Sequence, residues 1–153
     1  MTQRLTYRPA VAADLEWMLA LVVEDNVRPT GDDPEHAPDP AYLAALAAID
    51  ADPHHELLIA ELDGARVGTL QLSRIPGIPG RGLWRGQIEN VHIASSHRNL
   101  GLGSEMIRWA IERLRAGGCG LVQLTSNKLR TDAHRFYERL GFQRSHEGFK
   151  LFL

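Results

Sequence analysis

The sequence has a single cysteine, Cys119, among 153 residues. One cysteine excludes an intramolecular disulfide framework and a zinc site built from several thiolates. No apolar run approaches the roughly 20 residues that a membrane-spanning helix needs. The N-terminal residues MTQRLTYRPAV also lack the apolar stretch of a signal peptide. We therefore expect a cytoplasmic protein with no membrane partner.

An excess of charge of one sign is missing as well. Seventeen Lys and Arg residues oppose nineteen Asp and Glu residues, so the net charge is −2 and nothing points to nucleic acid as a partner. Seven histidines are present, but their spacing is not that of metal ligands, and we predict no metal. With 44% hydrophobic and 24% charged residues, the chain is typical of one globular domain over residues 1–153.

Apolar periodicity and turn residues predict a mixed α/β fold. A helix between two strands favours a parallel pair over 87–94 and 119–125. Asp63-Gly64 is typical of a tight hairpin turn, and FQRSHEGFKLFL at the C-terminus predicts a final hairpin turning near Glu147-Gly148. The predicted strands cover 4–8, 56–62, 65–75, 83–94 and 118–126, and the predicted helices cover 14–25, 41–51, 103–116 and 131–141.

The segment HRNLGLGSEMIRWAIERLR (97–115) places a cation and two glycines directly before an amphipathic helix. The first turn of a helix has unpaired N–H groups and a partial positive charge, and glycine lets a phosphate approach them. No G-x-x-x-x-G-K-[ST] run exists, and Met106 stands where a dinucleotide fingerprint needs its third glycine. What remains is the run Arg98-Asn99-Leu100-Gly101-Leu102-Gly103.

This run resembles [Q/R]-x-x-G-x-[G/A], the pyrophosphate loop of the GNAT acyltransferases, which bind acetyl-CoA. The strand QIENVHIAS before it and the motif AHRFYERLGF (133–142) after it are similar to the same superfamily. The resemblance implies a GNAT fold: one mixed, mostly antiparallel sheet of six to seven strands with about four helices. It also implies that the fourth and fifth strands form a splayed parallel pair.

The resemblance further implies acetyl-CoA as co-substrate and a set of residues that bind it. The pantetheine arm would pair with strand backbone at Val91, His92 and Ile93. The pyrophosphate would lie on backbone N–H groups of the loop and the helix start, and an asparagine after the fifth strand would face the cofactor. The guanidinium of the loop arginine would contact phosphate or serve structure. These loop and cofactor residues are Arg98, Asn99, Leu100, Gly101, Leu102, Gly103, Ser104 and Asn127.

Acyl transfer needs three groups, and the resemblance places candidates for each. A backbone N–H of Val91 or His92, near a bulge, would stabilise the carbonyl oxygen. Tyr137 would protonate the leaving thiolate, unless it is a core tyrosine. Glu89 would accept the proton of the amine, unless it binds a cationic acceptor or pairs with an arginine.

Strand alternation adds a geometric expectation to these roles. It predicts that Glu89 shares a face with Val91 and Ile93, and that His92 lies on the opposite face. His134, one helical turn before Tyr137, lines the site or is solvated.

The resemblance implies an N-acetyltransferase that moves an acetyl group to a primary amine of a small molecule by direct attack. The alternatives are a non-catalytic acetyl-CoA-binding module and an acetyltransferase acting on protein lysines or N-termini. The nearest branch resembles the glucosamine-6-phosphate N-acetyltransferases. That branch typically has an acid where this chain has Asn90 and a lysine where it has Leu121, so its substrate is not carried over.

The loop between the first two helices is strongly acidic. Residues 24–40 hold six Asp and Glu residues against one arginine, Arg28. This balance favours a cationic acceptor or describes a solvated loop. At the other end of the chain, the apolar FKLFL is compatible with a homodimer and equally with a core strand.

Overall fold

The computed structural model describes residues 2–27, 29–37 and 39–153. These residues form one five-stranded sheet in the order β1 to β5, in which β1 to β4 are antiparallel neighbours and β5 runs parallel to β4. Four helices of nine residues or more flank it, with a short helical turn at Pro79–Gly82. The strands are β1 (Thr6–Pro9), β2 (His55–Leu62), β3 (Ala65–Ile75), β4 (Trp84–Ile93) and β5 (Cys119–Gln123), and the helices are α1 (Leu15–Asp25), α2 (Pro40–Ala51), α3 (Leu102–Ala116) and α4 (Thr131–Arg139).

These elements lie within three residues of the predicted ones, and the predicted turn between β2 and β3 is confirmed. Asp63 and Gly64 have φ angles of 51° and 80°. Positive φ at both central residues is what a type I′ hairpin requires, and its twist matches that of the flanking strands.

The main core lies between the sheet and α3. The helix repeats apolar residues three and four positions apart, and that face is buried against β3 and β4. Gly86 of β4 permits this close approach, because a Cβ there would lie 2.7 Å from Leu114 Cδ1. Helices α1 and α2 pack on the other face of the sheet, with Leu15, Leu19 and Leu46 at that smaller core. The sheet is therefore covered on both faces.

The prediction of six to seven strands is wrong for the described residues, which contain five. The missing element is the C-terminal hairpin, since residues 140–153 contain no strand. Gly148 passes near β5, where a Cβ would lie 3.8 Å from Thr125 Cγ2, but the segment does not pair with the strand. Its apolar pattern is strand-like, yet a strand forms only where another strand accepts its backbone hydrogen bonds.

A buried ion pair fixes the start of α1 against β1. Asp14, which is 2% exposed, accepts hydrogen bonds from Arg8 at 2.7 and 2.9 Å, from Arg66 at 3.2 Å and from the N–H of Val11 at 2.9 Å. The hydrogen bonds from the Arg8 guanidinium lower the pKa of Asp14 to about 2. The carboxylate is thus held charged between two strands and a helix.

We expect Asp14→Asn to lower the free energy of unfolding by about 1–3 kcal/mol, because the buried site loses its charge-assisted hydrogen bonds from Arg8 and Arg66, while Arg8 keeps its bond to Glu61. Urea unfolding at pH 7 measures the change. Glu16→Gln, two residues away at an exposed position, is the control and should change stability by less than about 0.5 kcal/mol.

The same pair predicts a pH dependence. The folded-state pKa of about 2 lies below the ordinary value of 3.8. The stabilisation is therefore complete above pH 4 and is lost as the pH falls through the folded-state value. The Asp14→Asn variant should lack this part of the acid transition. Equal stability of the wild type and Asp14→Asn at pH 7 would contradict the stabilising role of this ion pair.

Candidate active site

The parallel strands β4 and β5 diverge and leave an open slot. β5 pairs only with Trp84–Gln87 of β4, and Gln123 Nε2 donates to Gln87 Oε1 at 2.8 Å at the last rung. Beyond it, in the part of the chain that the structure describes, residues 88–93 of β4 have no strand on that side. The predicted splayed pair is confirmed. An exposed strand edge of this kind accepts an extended molecule with amide groups as an added strand would be accepted.

A β-bulge lies in β4 at the middle of this open edge. Gln71 of β3 faces Glu89 and Thr69 faces His92. Leu70 between them therefore faces two residues, Asn90 and Val91, where a regular ladder has one. Asn90 has a φ of 51°, a conformation that asparagine adopts more readily than most residues. The bulge turns the β4 backbone at the point where the resemblance placed a carbonyl-binding N–H.

The bulge overturns the predicted arrangement of side chains. Opposed residues of an antiparallel pair share a face, so Glu89 lies with Gln71, and His92 lies with Thr69 on that same face. Val91 and Ile93 instead pack in the α3 core. The prediction that Glu89 shares a face with Val91 and Ile93, and opposes His92, is wrong because strict alternation does not allow for an inserted residue.

Glu89 is exposed at the edge of the bulge. No ion pair or hydrogen bond of its carboxylate occurs among the residues described, so the alternative in which it pairs with an arginine is not realised there. A carboxylate without a protein partner beside an open slot is available to a cation or to a proton.

His92 and Arg98 are both held by one carboxylate. His92, 8% exposed, places Nδ1 at 2.7 Å from Asp25 Oδ2. Arg98 Nη2 donates to the other oxygen of Asp25 at 2.6 Å, and Arg98 Nε donates to the carbonyl of Ile93 at 3.2 Å. These bonds tie the end of α1 to the end of β4 and to the glycine loop. Of the two roles left open for the Arg98 guanidinium, the structure displays the structural one.

The glycine loop forms the wall of a second recess, a cavity of about 350 Å³. Asn99 and Gly101 have φ angles of 63° and 78°, which turn the backbone sharply into α3. No side chain caps the helix, and its first main-chain hydrogen bond runs from Glu105 N to Gly101 O at 3.2 Å. The preceding N–H groups of the first turn are therefore available to an anion. The cavity is lined by Ile93, His97, Arg98, Asn99, Gly101, Leu102, Gly103, Ser104 and Phe136.

The recess has the features that suit a phosphate group, namely unpaired main-chain N–H groups next to glycine residues. A Cβ built at Gly103 would lie 3.6 Å from the Phe136 ring, which is ordinary contact. One extra carbon is tolerated there, whereas a large side chain would fill the cavity. Phe136 and His97 also line the recess and were not predicted to do so, although Phe136 lies inside the motif FYERLGF.

Tyr137 lies on α4 in an aromatic cluster. Its ring meets those of Phe136 and Phe142 edge-on, with centroids 5.1 and 5.8 Å away. Burial raises the pKa of Tyr137 above its ordinary value of 10, and Arg130 opposes the shift. The phenol therefore keeps its proton throughout the neutral pH range, where it can act as a general acid but not as a general base.

Two further predicted residues meet where the turn before α4 joins the helix: Asn127 lies in the turn and His134 lies in α4. His134 Nε2 is 2.8 Å from the carbonyl oxygen of Asn127, so His134 braces this turn. Asn127 Oδ1 accepts a hydrogen bond from the N–H of Leu129 at 2.9 Å. The side chain of Asn127 is exposed, and its contact with a cofactor stays a prediction.

The acidic loop lines a cavity of about 460 Å³, and three of its six acids accept hydrogen bonds from residues nearby in the chain. Asp32 accepts from the hydroxyl of Tyr42 at 2.8 Å. Asp33 and Asp39 accept from backbone N–H groups two residues ahead, each at 2.9 Å. Arg28 lies outside the described residues. These carboxylates thus stabilise the conformation of the loop.

The chain is similar in sequence and fold to known proteins. Residues 19–142 match the model of the acetyltransferase (GNAT) family. The aminoalkylphosphonate N-acetyltransferase of Salmonella typhimurium is 33% identical over 106 residues, which is 69% of this chain and 68% of that protein. A crystal structure described as a transcriptional regulator from Bacillus halodurans is 41% identical, with a TM-score of 0.89, covering 97% of this chain and 99% of that one.

The chain belongs to the GNAT acetyltransferase family and is an acyltransferase. The glucosamine-6-phosphate N-acetyltransferase of Arabidopsis thaliana shares the fold at a TM-score of 0.75 and 17% identity, over 97% of each chain. Members of this family use acetyl-CoA. Across the described ranges, no helix is long and apolar enough to cross a membrane.

We expect Gly103→Trp to abolish binding of acetyl-CoA at micromolar concentration, since the indole occupies the recess at the start of α3. Isothermal titration calorimetry measures binding, and circular dichroism confirms the fold. Gly103→Ala is the matched control and should bind, because its methyl group makes only ordinary contacts. Binding by the tryptophan variant with wild-type affinity would show that the recess does not hold the cofactor.

Proposed function

We propose that the protein transfers the acetyl group of acetyl-CoA to the primary amine of a small molecule by direct attack. The observation that carries the proposal is the bulge in β4. It places Glu89, exposed and without a partner among the described residues, beside the open slot between β4 and β5. Acetyl-CoA would supply a thioester, whose carbonyl carbon accepts the amine.

Two backbone surfaces are suited to hold the cofactor. The free edge of β4 at Val91, His92 and Ile93 offers N–H and C=O groups to the amides of the pantetheine arm. The first turn of α3, from Leu102 to Ser104, offers N–H groups to the pyrophosphate. Both surfaces are main chain, so the proposal depends on backbone conformation more than on side-chain charge. Asn127 stays a candidate contact.

The same bulge supports an oxyanion site. A bulge breaks the regular ladder and leaves an N–H without its usual strand partner. We propose that the N–H of Val91 or His92 donates a hydrogen bond to the thioester oxygen, which gains negative charge as the amine attacks. A fixed N–H dipole in a site sheltered from water is effective at this task because it needs no reorientation.

Glu89 and Tyr137 would carry the two proton transfers. Glu89 accepts a proton from the attacking amine, directly or through a water molecule. Tyr137 donates its proton to the departing thiolate. Because burial keeps the phenol protonated at neutral pH, the donor is present whenever the thiolate leaves.

The acceptor class rests on the curated relative and on Glu89. The Salmonella relative is named for aminoalkylphosphonates, which are small molecules with a primary amine. A free carboxylate at the slot suits the ammonium end of such a molecule. The acidic loop adds little to this argument, since Asp32, Asp33 and Asp39 already accept hydrogen bonds from the loop or from the start of α2.

A second function has one observation in its favour. The 41% identical Bacillus structure is described as a transcriptional regulator, which suggests a domain that binds acetyl-CoA without turning it over. Release of free thiol from acetyl-CoA in the presence of an amine panel, aminoalkylphosphonates included, separates the two functions. Protein acetylation would instead require that peptides and not small amines stimulate release.

We expect Tyr137→Phe to lower kcat by roughly 100- to 10,000-fold with little change in acetyl-CoA affinity. The phenylalanine keeps the ring packing against Phe136 and Phe142 and removes only the proton. Steady-state thiol release measures kcat, and calorimetry measures binding. In the wild-type enzyme, the activity that depends on this proton should persist up to pH 10, because the pKa of Tyr137 is raised above its ordinary value. An unchanged kcat would make Tyr137 a packing residue.

We expect Glu89→Gln to lower kcat/KM for the amine at pH 7 and to recover activity as the pH rises toward the amine pKa of about 10. At high pH the amine loses its proton without help, so the base is no longer needed. Glu138→Gln, an exposed carboxylate next to Tyr137, is the control. A raised KM with unchanged kcat at every pH would show that Glu89 binds the ammonium and does not move a proton.

A further inference from the structure

The strand β4 places an arginine and a carboxylate on the same face of the sheet. The β3–β4 ladder is regular from the Gln71–Glu89 pair to Arg85, and alternate residues of a regular strand point to one face. Arg85, Gln87 and Glu89 therefore share a face. Gln71 also faces Leu57 of β2, which packs against α1 and α2. The shared face is thus opposite α3, and Arg85 and Glu89 are exposed on it.

The floor between these two charges is polar and held in place. Gln123 of β5 faces Gln87, and Gln123 Nε2 donates to Gln87 Oε1 at 2.8 Å. This bond fixes the carboxamide of Gln87 and leaves its two N–H donors free of other hydrogen bonds among the described residues. Leu121 of β5, which faces Arg85, is 44% exposed. Donors and one apolar side chain therefore surround the Arg85 end of the floor.

Neither charge is neutralised within the described chain. The guanidinium of Arg85 has no ion pair or hydrogen bond there, and the carboxylate of Glu89 has none either. Their Cα atoms are four residues apart on one strand, or about 13 Å, and strand side chains can lean along the strand direction toward each other. Opposite charges at the two ends of a polar floor complement a small molecule that carries a cation at one end and an anion at the other.

The direction of the cofactor decides which molecule this floor serves, and this step rests on the proposed function. Acetyl-CoA would occupy the edge of β4 from Val91 to Ile93 and the glycine loop beyond it. The acceptor then approaches the thioester from the opposite direction, over residues 85–89. With its amine at Glu89, a short acceptor lies over Gln87, and its far end reaches Arg85.

We propose that the acceptor carries an anionic group, a phosphonate or a carboxylate, in addition to its primary amine, and that Arg85 selects it by binding this group. A guanidinium donates two parallel hydrogen bonds to the oxygens of either anion. The free N–H donors of Gln87 add a neutral contact beside it. Arg85 thereby determines which amine is used, while the groups at the bulge act on the reacting atoms.

The first test compares acceptors of similar length by steady-state thiol release from acetyl-CoA: 2-aminoethylphosphonate, β-alanine and propylamine. In the wild type, kcat/KM for at least one anionic amine should exceed that for propylamine by about 10- to 100-fold, the usual effect of a hydrogen bond to a charged group. The better of the two anions identifies the acidic group. Arg85→Gln should remove the preference by raising KM for the anionic amine and should leave propylamine unchanged.

Two variants separate selection from a structural role. Arg108→Gln is the matched control, since Arg108 is an exposed arginine on α3, across the sheet from this floor; it should keep the wild-type preference. Arg85→Glu should invert the preference, so that 1,3-diaminopropane becomes a better acceptor than 2-aminoethylphosphonate. Circular dichroism confirms that each variant is folded. Equal use of propylamine and both anionic amines by the wild type would overturn the proposal and leave the transfer reaction standing.

The second test measures binding without turnover. The side-chain Nε–H signal of Arg85 in ¹⁵N-labelled protein, assigned by its loss in Arg85→Gln, is followed in the presence of coenzyme A. The preferred anionic amine should shift this signal, and propylamine should not. A shift without any thiol release would refute the proposed transfer and support the anion site. No shift with either 2-aminoethylphosphonate or β-alanine would overturn the role of Arg85.

Discussion

The extra residue in β4 sets the position of the groups that the proposed reaction uses. Asn90 takes a left-handed backbone conformation, and Leu70 on β3 faces two residues in place of one. The pleat is thereby shifted by one residue, which brings Glu89 and His92 to one face and sends Val91 and Ile93 into the α3 core. The same distortion sits at the open edge of β4, where the pantetheine arm is proposed to pair.

A series of polar contacts fixes the bulged part of β4 relative to the glycine loop that precedes α3. Asp25 at the end of α1 binds His92 through one oxygen and Arg98 through the other, and Arg98 returns to the carbonyl of Ile93. Charged groups that satisfy one another in this way fix distances between elements far apart in sequence. The guanidinium of Arg98 is therefore engaged by protein groups, and the proposed contacts with the pyrophosphate come from backbone N–H groups.

Periodicity and turn chemistry were sufficient to predict the helices, the first five strands and the Asp63-Gly64 turn, because each depends on neighbours in sequence. The glycine motif predicted the turn into α3 for the same reason. Contacts between distant residues could not be predicted from local patterns. The bulge depends on how β3 and β4 pair, and the Asp25–Arg98 bond joins residues that are 73 positions apart. The prediction of the final hairpin was wrong because FKLFL has the pattern of a strand but forms no ladder with β5, the edge strand that it passes, in the described chain.

The most direct measurement is a map of backbone amide chemical shifts in ¹⁵N-labelled protein as acetyl-CoA is added. The account predicts that the shifts concentrate in two stretches: the bulged edge of β4, residues 89–93, and the loop with the first turn of α3, residues 98–104. Shifts confined to other surfaces, or none at saturating acetyl-CoA, would contradict the assignment of the β4–β5 slot as the acetyl-CoA site.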